Sequence, residues 1–412
     1  MQRAEGRRNL VWRYDVVKIT NLNKVRKEDR IFLNPDKEQK EKYTLIKKEI
    51  EKKYSIQLSN RNYIIKQLIA TLTQGDHLNS LIPSINLMII RTDIKNFFPA
   101  VNKHKLYKKL KSSNLLYRST FNELQSIFFT KSIEGIPLGL PFSNVLAEVY
   151  LEQFDNDILY HFNPTFYFRY VDDIIIINYL DNFNFENKKI MELLSNIFKS
   201  NSLQINQSKT IISRYINQFK HPPKSHFSFS YLGYYFESVE NESDPNKKDG
   251  KLKISIAEKK FKKIVNNIKS YFYLYKKSKQ TDRDFWMLYY RLVNSISGVT
   301  STDKNSKIIK FGLGYTYGLI NNENQMDTLI IIIKGLIHSL KLNSRKRSTL
   351  LNIFYYKDNS LEILSSRINY TKLTPVQLKK IKCRLRMTTE SNNISRVFYT
   401  LYKGTHLELF KD

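Results

Sequence analysis

Cysteine is almost absent. Cys383 stands alone among 412 residues, which excludes an internal disulfide and a thiolate zinc cluster. Histidine is scarce too, and its seven copies show no paired ligand spacing. The chain therefore reads as a reducing-compartment protein in which any metal is held by carboxylates. Long apolar runs are also missing. LIIII (329–333), the longest aliphatic stretch of the C-terminal half, is broken by Lys334 and Gly335. It is far too short to span a bilayer, so a core helix and no membrane association are expected. The opening segment MQRAEGRRNLVWRYDV is basic without a following apolar region, so no secretory leader is expected. Acidic charge is the last shortage: 38 Asp and Glu face 68 Lys and Arg, a net charge of +30. Such a surplus gathers polyanions, nucleic acid foremost, although a lysine-rich proteome or a membrane-surface protein would show the same excess.

Core-forming residues are plentiful, at 41% hydrophobic and 13% aromatic, enough for two or three globular domains. Residues 36 to 72 alternate charged and apolar positions at helical spacing, with Ser59 and Asn60 as a cap before a second helix. SINLMIIRTDIKNFF (84–98) is a β-rich run ending at Asp93, followed by a basic helix in VNKHKLYKKLKSSN. GIPLGLPFSN (135–144) is a Gly/Pro loop that leads into an amphipathic helix. FYFRYVDDIIIINY (166–179) reads as a hairpin. A helix at 186–200 and strands at 209–215 and 227–238 follow. The polar stretch 241–251 marks a turn or domain junction. Beyond it the pattern is helical without clear strands, and GLGYTYGL (312–319) reads as a tight connection between helices.

Adjacent carboxylates repel, and a buried strand has no use for Asp172 beside Asp173. If the strand ending at Asp93 lies beside that hairpin, three acids converge at one sheet edge, where a hard cation would neutralise them. Mg²⁺ favours one or two carboxylates plus substrate phosphates. Two such ions suit an in-line displacement at a 3′-hydroxyl with pyrophosphate leaving. Asp favours turns on its own account, so the pair alone says little. The tyrosine before it, the strand-terminal Asp93 and the Gly/Pro loop together point to nucleotidyl transfer.

These residues resemble a known family. FRYVDD (168–173) is similar to motif C of reverse transcriptases, and RTDIKNFFPAV (91–101) to motif A. GIPLGLPFSNVLAEVYLEQFD (135–155) is similar to motif B, LQINQSKT (203–210) to motif D, and FSYLGYYF (229–236) to the motif E primer grip. The resemblance implies an α+β right-hand polymerase. Fingers would occupy 1–88, an antiparallel-sheet palm with part of the fingers 89–240, a helical thumb-like region 252–320 and an all-α extension 321–412. It implies that Asp93, Asp172 and Asp173 hold two Mg²⁺ ions, with Mn²⁺ as a substitute, and that Lys209 sits near the triphosphate and protonates pyrophosphate. Phe98 matches the gate against a ribose 2′-hydroxyl, and Tyr170 would pack beside the primer terminus. Pro137, Leu138 and Gly139 would lie beneath the nascent base pair, and Gly233 would allow the close approach of the grip. A core phenylalanine, a solvated lysine and a plain turn glycine would look the same at 98, 209 and 233.

Several departures narrow the class. Leu138 stands where motif B usually carries a glutamine that orders the template-side pocket. The family's fingers hairpin, with its arginine and lysine on the triphosphate, is not recognisable before Asp93, which leaves Arg61, Lys66 and Arg91 as candidates. No His-rich endonuclease, cysteine-based zinc element or ribonuclease H carboxylate set is visible, nor the Asn-Ala-x-x-His element of retron enzymes. NRNYIIKQLIATL (60–72), the leucine-bearing motif B and the long helical C-terminus resemble unclassified bacterial reverse transcriptases of abortive infection and phage defence. That likeness implies dNTP substrates, a noncoding RNA template, a DNA product and a bacterial cytoplasmic setting, with a homo-oligomer or a partner defence protein as companion. Template-independent or protein-primed synthesis is the alternative. A silent RNA-binding scaffold is a third reading, against which the complete carboxylate set argues. Segments 259–279 and 340–356 interleave cations with aromatics, suited to a nucleic-acid groove or to ordinary amphipathic helices.

Overall fold

A computed structural model describes residues 22–27, 30–76, 78–83, 85–180, 186–218, 221–240, 250–302, 308–356, 358–387 and 401. The chain divides into two units: Met1–Ser59 with Ile90–Asn178 and Asn182–Ile212, and Asn60–Ile89 with Tyr179–Asp181 and Ser213–Asp412. Helices and mainly antiparallel strands make up both, the α+β class expected.

In the first unit, hairpin strands Phe166–Tyr170 and Asp173–Tyr179 lead across the sheet to the strand that ends at Asp93, then to the one that begins at Ile211. Ile174, Ile175, Ile176 and Ile177 are all fully buried. Both faces of the sheet are covered there, which is why the run is continuously apolar instead of alternating. Helix Ser143–Phe162 lies against the hairpin, and Asn178 Nδ2 donates to Phe162 O at 3.1 Å. Helix Asn187–Ser200 packs on that helix through an edge-on Phe154–Phe198 contact. Helix Lys37–Lys53 starts at a capping box between Asp36 and Gln39. Its buried stripe of Tyr43, Ile46 and Ile50 follows helical spacing, with Tyr43 edge-on to Phe142. A short hairpin, Asn23–Lys27 with Arg30–Asn34, is tied to the Gly/Pro loop by Leu33 N donating to Leu138 O at 2.8 Å.

The second unit holds an antiparallel sheet ordered Leu81–Ile82, Gly250–Ile256, Tyr234–Glu240 and Ser228–Tyr231. Its helices include Arg61–Thr73, capped by Asn60 as expected, with Glu258–Lys277, Asp282–Ile296 and Glu323–His338. The LIIII run lies on the last of these. Leu329, Ile330 and Ile333 are buried and Ile331 faces outward. No helix among the described residues is long and apolar enough to cross a membrane.

Two expectations for the C-terminal region need correction. It is mostly helical, yet Ile308–Phe311, Gly298–Thr302 and Arg367–Asn369 form a three-stranded sheet. GLGYTYGL therefore joins a strand, not a helix, to the short helix Leu313–Thr316. Gly312 makes that turn at φ 87°, where a Cβ would strike the backbone oxygens of Ser297 and Asn294. Strands this short, one of them paired in parallel with a distant segment, leave no periodicity to read. The predicted junction falls largely on 241–249, outside the described residues.

Candidate active site

The hairpin register ends at the pair Tyr170 and Asp173, so Val171 and Asp172 alone form the turn. Val171 sits at φ 57°, a conformation that opposes a β-branched side chain and costs on the order of 1–3 kcal/mol. The carbonyl of Asp172 accepts from Ile94 N at 3.2 Å, which fixes the turn beside the end of the Asp93 strand. The strand that ends at Asp93 and the turn of the hairpin therefore lie side by side.

Asp93 is buried. Its Oδ2 accepts from Lys209 Nζ at 2.5 Å, and its Oδ1 is buried without a hydrogen-bond partner. Asn206 N donates to Asp93 O and Lys95 N to Gln204 O, so the 203–210 segment is stitched to the strand end. Thr92 and Thr210 share a hydroxyl hydrogen bond at 2.8 Å beneath it. Arg91 crosses the edge, donating to Asp173 Oδ1 at 3.0 Å and to Lys209 O at 2.8 Å. Burial pushes the Asp172 carboxyl above the ordinary range, and neighbouring Asp173 adds to the rise. Burial also raises Asp173, against the pull of Arg91.

A cavity of about 640 Å³ opens beside Asp172, within the size range of small-ligand sites. Lys24, Arg30, Phe98, Pro137 and Leu138 are among its walls. Phe97 is core, whereas Phe98 is half-buried and faces the cavity. Ile136 N donates to Phe98 O at 2.8 Å. A Cβ on Gly135 would run into the Phe98 carbonyl, and one on Gly139 into that of Leu33. Both glycines, at φ 54° and 93°, thus let the loop lie directly on its neighbours.

The first unit therefore gathers Asp93, Phe98, Pro137, Leu138, Gly139, Tyr170, Asp172, Asp173 and Lys209. Gly233 belongs to the second unit. There Leu232 and Gly233 both have positive φ in a tight hairpin turn, and Arg61 Nε and Nη2 donate to Leu232 O. A hairpin that is not recognisable in the sequence does precede Asp93. Asn23–Lys27 and Arg30–Asn34 form it, and Lys24 and Arg30 line the cavity where Arg61, Lys66 and Arg91 do not. Its strands carry little apolar patterning, with exposed Val25 and Ile31, so no periodic signal marked them. Arg169 and Gly135 also went unnoticed. Arg169 is read as part of the motif C string, and its role depends on acids brought up by helix Ser143–Phe162.

A family model for reverse transcriptase (RNA-dependent DNA polymerase) matches residues 31–236, half of the chain. The chain belongs to the reverse transcriptase family. The match spans Asp93, Asp172, Asp173 and the Gly233 turn. Similar solved structures include telomerase from Candida albicans with a TWJ fragment of telomeric RNA, at 12% identity and a TM-score of 0.38, covering 93% of this chain and 61% of that one. Another is apo telomerase from Candida tropicalis, at 14% identity and a TM-score of 0.35, covering 87% and 60%. The chain thus spans about three fifths of the length of these structures. No curated protein matches it by sequence.

The acids suit a hard dication: they offer oxygen donors, and Asp93 Oδ1 is a buried acceptor lacking a donor. Among the described residues no group of three or more His, Cys, Asp or Glu is so placed that it could hold a metal ion. Lys209 and Arg91 carry the compensating charge instead.

Proposed function

We propose that this chain is an RNA-templated DNA polymerase that adds dNTPs by two-metal nucleotidyl transfer. The observation that carries this reading is the cavity, walled by the cationic hairpin residues Lys24 and Arg30 on one side and by Asp172 on another. Asp93, Asp172 and Asp173 would hold two Mg²⁺ or Mn²⁺ ions, which supply Lewis-acid activation of a 3′-hydroxyl and charge neutralisation at the phosphates. Lys24 and Arg30 bind the triphosphate. Phe98 sits at the cavity wall as the gate against a 2′-hydroxyl. Lys209, half exposed beside Asp93, is placed to give a proton to departing pyrophosphate. Residues 1–88 serve as fingers, 89–240 as palm, 252–320 as thumb and 321–412 as an extension that tracks nucleic acid. The setting we assign, on sequence likeness, is antiphage defence in a bacterial cytoplasm, with a noncoding RNA template and a homo-oligomeric or partner-assisted assembly.

One observation favours untemplated or protein-primed synthesis as a second reading. Leu138 presents an apolar side chain to the cavity where the family places an amide. Purified protein, Mg²⁺ and each labelled dNTP, with and without ribonuclease treatment, separate the two. Product lost on RNA removal supports templating, and product that persists on protein supports the second reading. Synthesis that survives Asp172→Ala and Asp173→Ala would overturn both.

A further inference from the structure

Arg169 is engaged through all three of its guanidinium nitrogens. Its Nε donates to Asp155 Oδ1 at 2.7 Å and its Nη2 to Asp155 Oδ2 at 2.7 Å. Nη2 also reaches Glu148 Oε2 at 2.5 Å, while Nη1 reaches Glu148 Oε1 at 3.1 Å and the carbonyl of Val171 at 3.1 Å. A guanidinium has five N–H donors, so none is left over. Glu148 and Asp155 lie two turns apart on helix Ser143–Phe162, and Tyr167 OH donates to Asp155 Oδ1 at 2.6 Å. The side chain is 8% exposed, where only a planar fork meets two carboxylates at once. Burial alone would pull its pKa down, but Asp155 and Glu148 outweigh that and keep the charge.

What this anchored cation holds is the Val171 carbonyl, the one belonging to the residue at φ 57°. The next carbonyl, of Asp172, is held from the other side by Ile94 N. The turn that presents Asp172 is thus gripped at successive peptides by a helix-anchored arginine and by the Asp93 strand.

We propose that Arg169 is a positioning residue: through the Val171 carbonyl it holds the turn in its strained conformation and so sets the place of Asp172. Arg169 touches no reacting atom, and its effect on rate rests on the polymerase reading above. The strain makes the role testable. Glycine in place of Val171 reaches positive φ without penalty, so a turn carrying Val171→Gly needs the grip far less.

Full-length Arg169→Gln, Arg169→Lys and Val171→Gly, and Val171→Gly combined with each arginine variant, are assayed for kcat and for KM toward dNTP. Crystal structures of the same proteins give φ at position 171. Arg169→Lys keeps a charge between Glu148 and Asp155 and serves if the glutamine variant does not fold. Loss of a charged hydrogen bond predicts a kcat fall of roughly 10- to 100-fold in the Val171 background, with KM little changed. In the Val171→Gly background the same substitution should cost less than about threefold. Val171 should leave positive φ in either arginine variant. Equal kcat losses in the two backgrounds, or Val171 still at positive φ without Arg169, would overturn the proposal. If the unmodified protein makes no DNA, the polymerase reading fails, and the position of Val171 in the variant crystals still decides the role of Arg169.

Discussion

Lys209 holds Asp93 by one oxygen only: its ammonium lies 2.5 Å from Oδ2, and Oδ1 stays buried and unpaired. In the proposed two-metal reading, the lysine and an incoming dication would compete for the same carboxylate. Lys209→Ala should therefore lower the Mg²⁺ needed for half-maximal synthesis by about two- to fivefold, the scale of a half-exposed ion pair. The maximal rate should fall by roughly 100-fold if the ammonium delivers a proton. A Mg²⁺ titration of initial rate in both proteins reads the two effects separately.

Asp172 works against the fold that displays it. Burial and Asp173 both disfavour its charge, so Asp172→Asn should abolish synthesis yet raise the metal-free Tm at neutral pH by roughly 2 °C. Differential scanning calorimetry in chelator, beside a primer-extension assay, checks both halves. A Tm decrease would mean that the carboxylate has a structural role.

Alkaline stability should depend on Tyr43. Burial, with Glu123 and Asp36 nearby, raises its hydroxyl from 10.0 to about 12. The folded state thus keeps a proton that the unfolded chain gives up. Stability is whole below pH 10 and is lost as pH rises toward 12, by about 2 kcal/mol for this group. Urea denaturation from pH 9 to 12 should show a shallower decline for Tyr43→Phe than for the unmodified protein.

Phe98 gives the sugar test. Phe98→Val would open the cavity wall beside the proposed ribose position, so ribonucleotide incorporation should rise by roughly 10-fold or more relative to deoxynucleotide, within the range of steric discrimination. Single-nucleotide extension with matched rNTP and dNTP measures the ratio. An unchanged ratio would return Phe98 to the ordinary core.

The Gly/Pro loop should tolerate no Cβ. Gly135→Ala and Gly139→Ala push a methyl into the carbonyls of Phe98 and Leu33 at positive φ, and each should destabilise the fold by about 2 kcal/mol or more. Gly335, exposed within helix Glu323–His338 with open space around its Cβ position, is the control. Gly335→Ala should stabilise by about 0.5–1 kcal/mol. Thermal melts of the three variants provide the comparison.

Much of the site was legible because its parts are local. Asp172 and Asp173 between two β-rich runs already marked a hairpin, and the run through Ile90 to Asp93 marked the strand beside it. The helix start at Asn60 was legible for the same reason, since a cap and its helix share a few residues. The hairpin around Lys24 and Arg30 was not legible. Its strands are short and polar, and they matter only because Leu33 meets Leu138 across a long stretch of chain. The strand at Arg367–Asn369 was hidden likewise, since it exists by pairing with Gly298–Thr300.

By itself, the sequence determined the chemistry on offer: hard oxygen ligands in place of thiolates, a surplus of cations for a polyanion, and acids at the ends of β-forming runs. Those follow from residue identity and nearest neighbours. Tertiary structure alone decided which cations face which acids: Lys209 on Asp93, Arg91 on Asp173, and Arg169 on the strained turn through Glu148 and Asp155. Coulombic and hydrogen-bonding partners act over a few ångströms of space, whatever their distance along the chain.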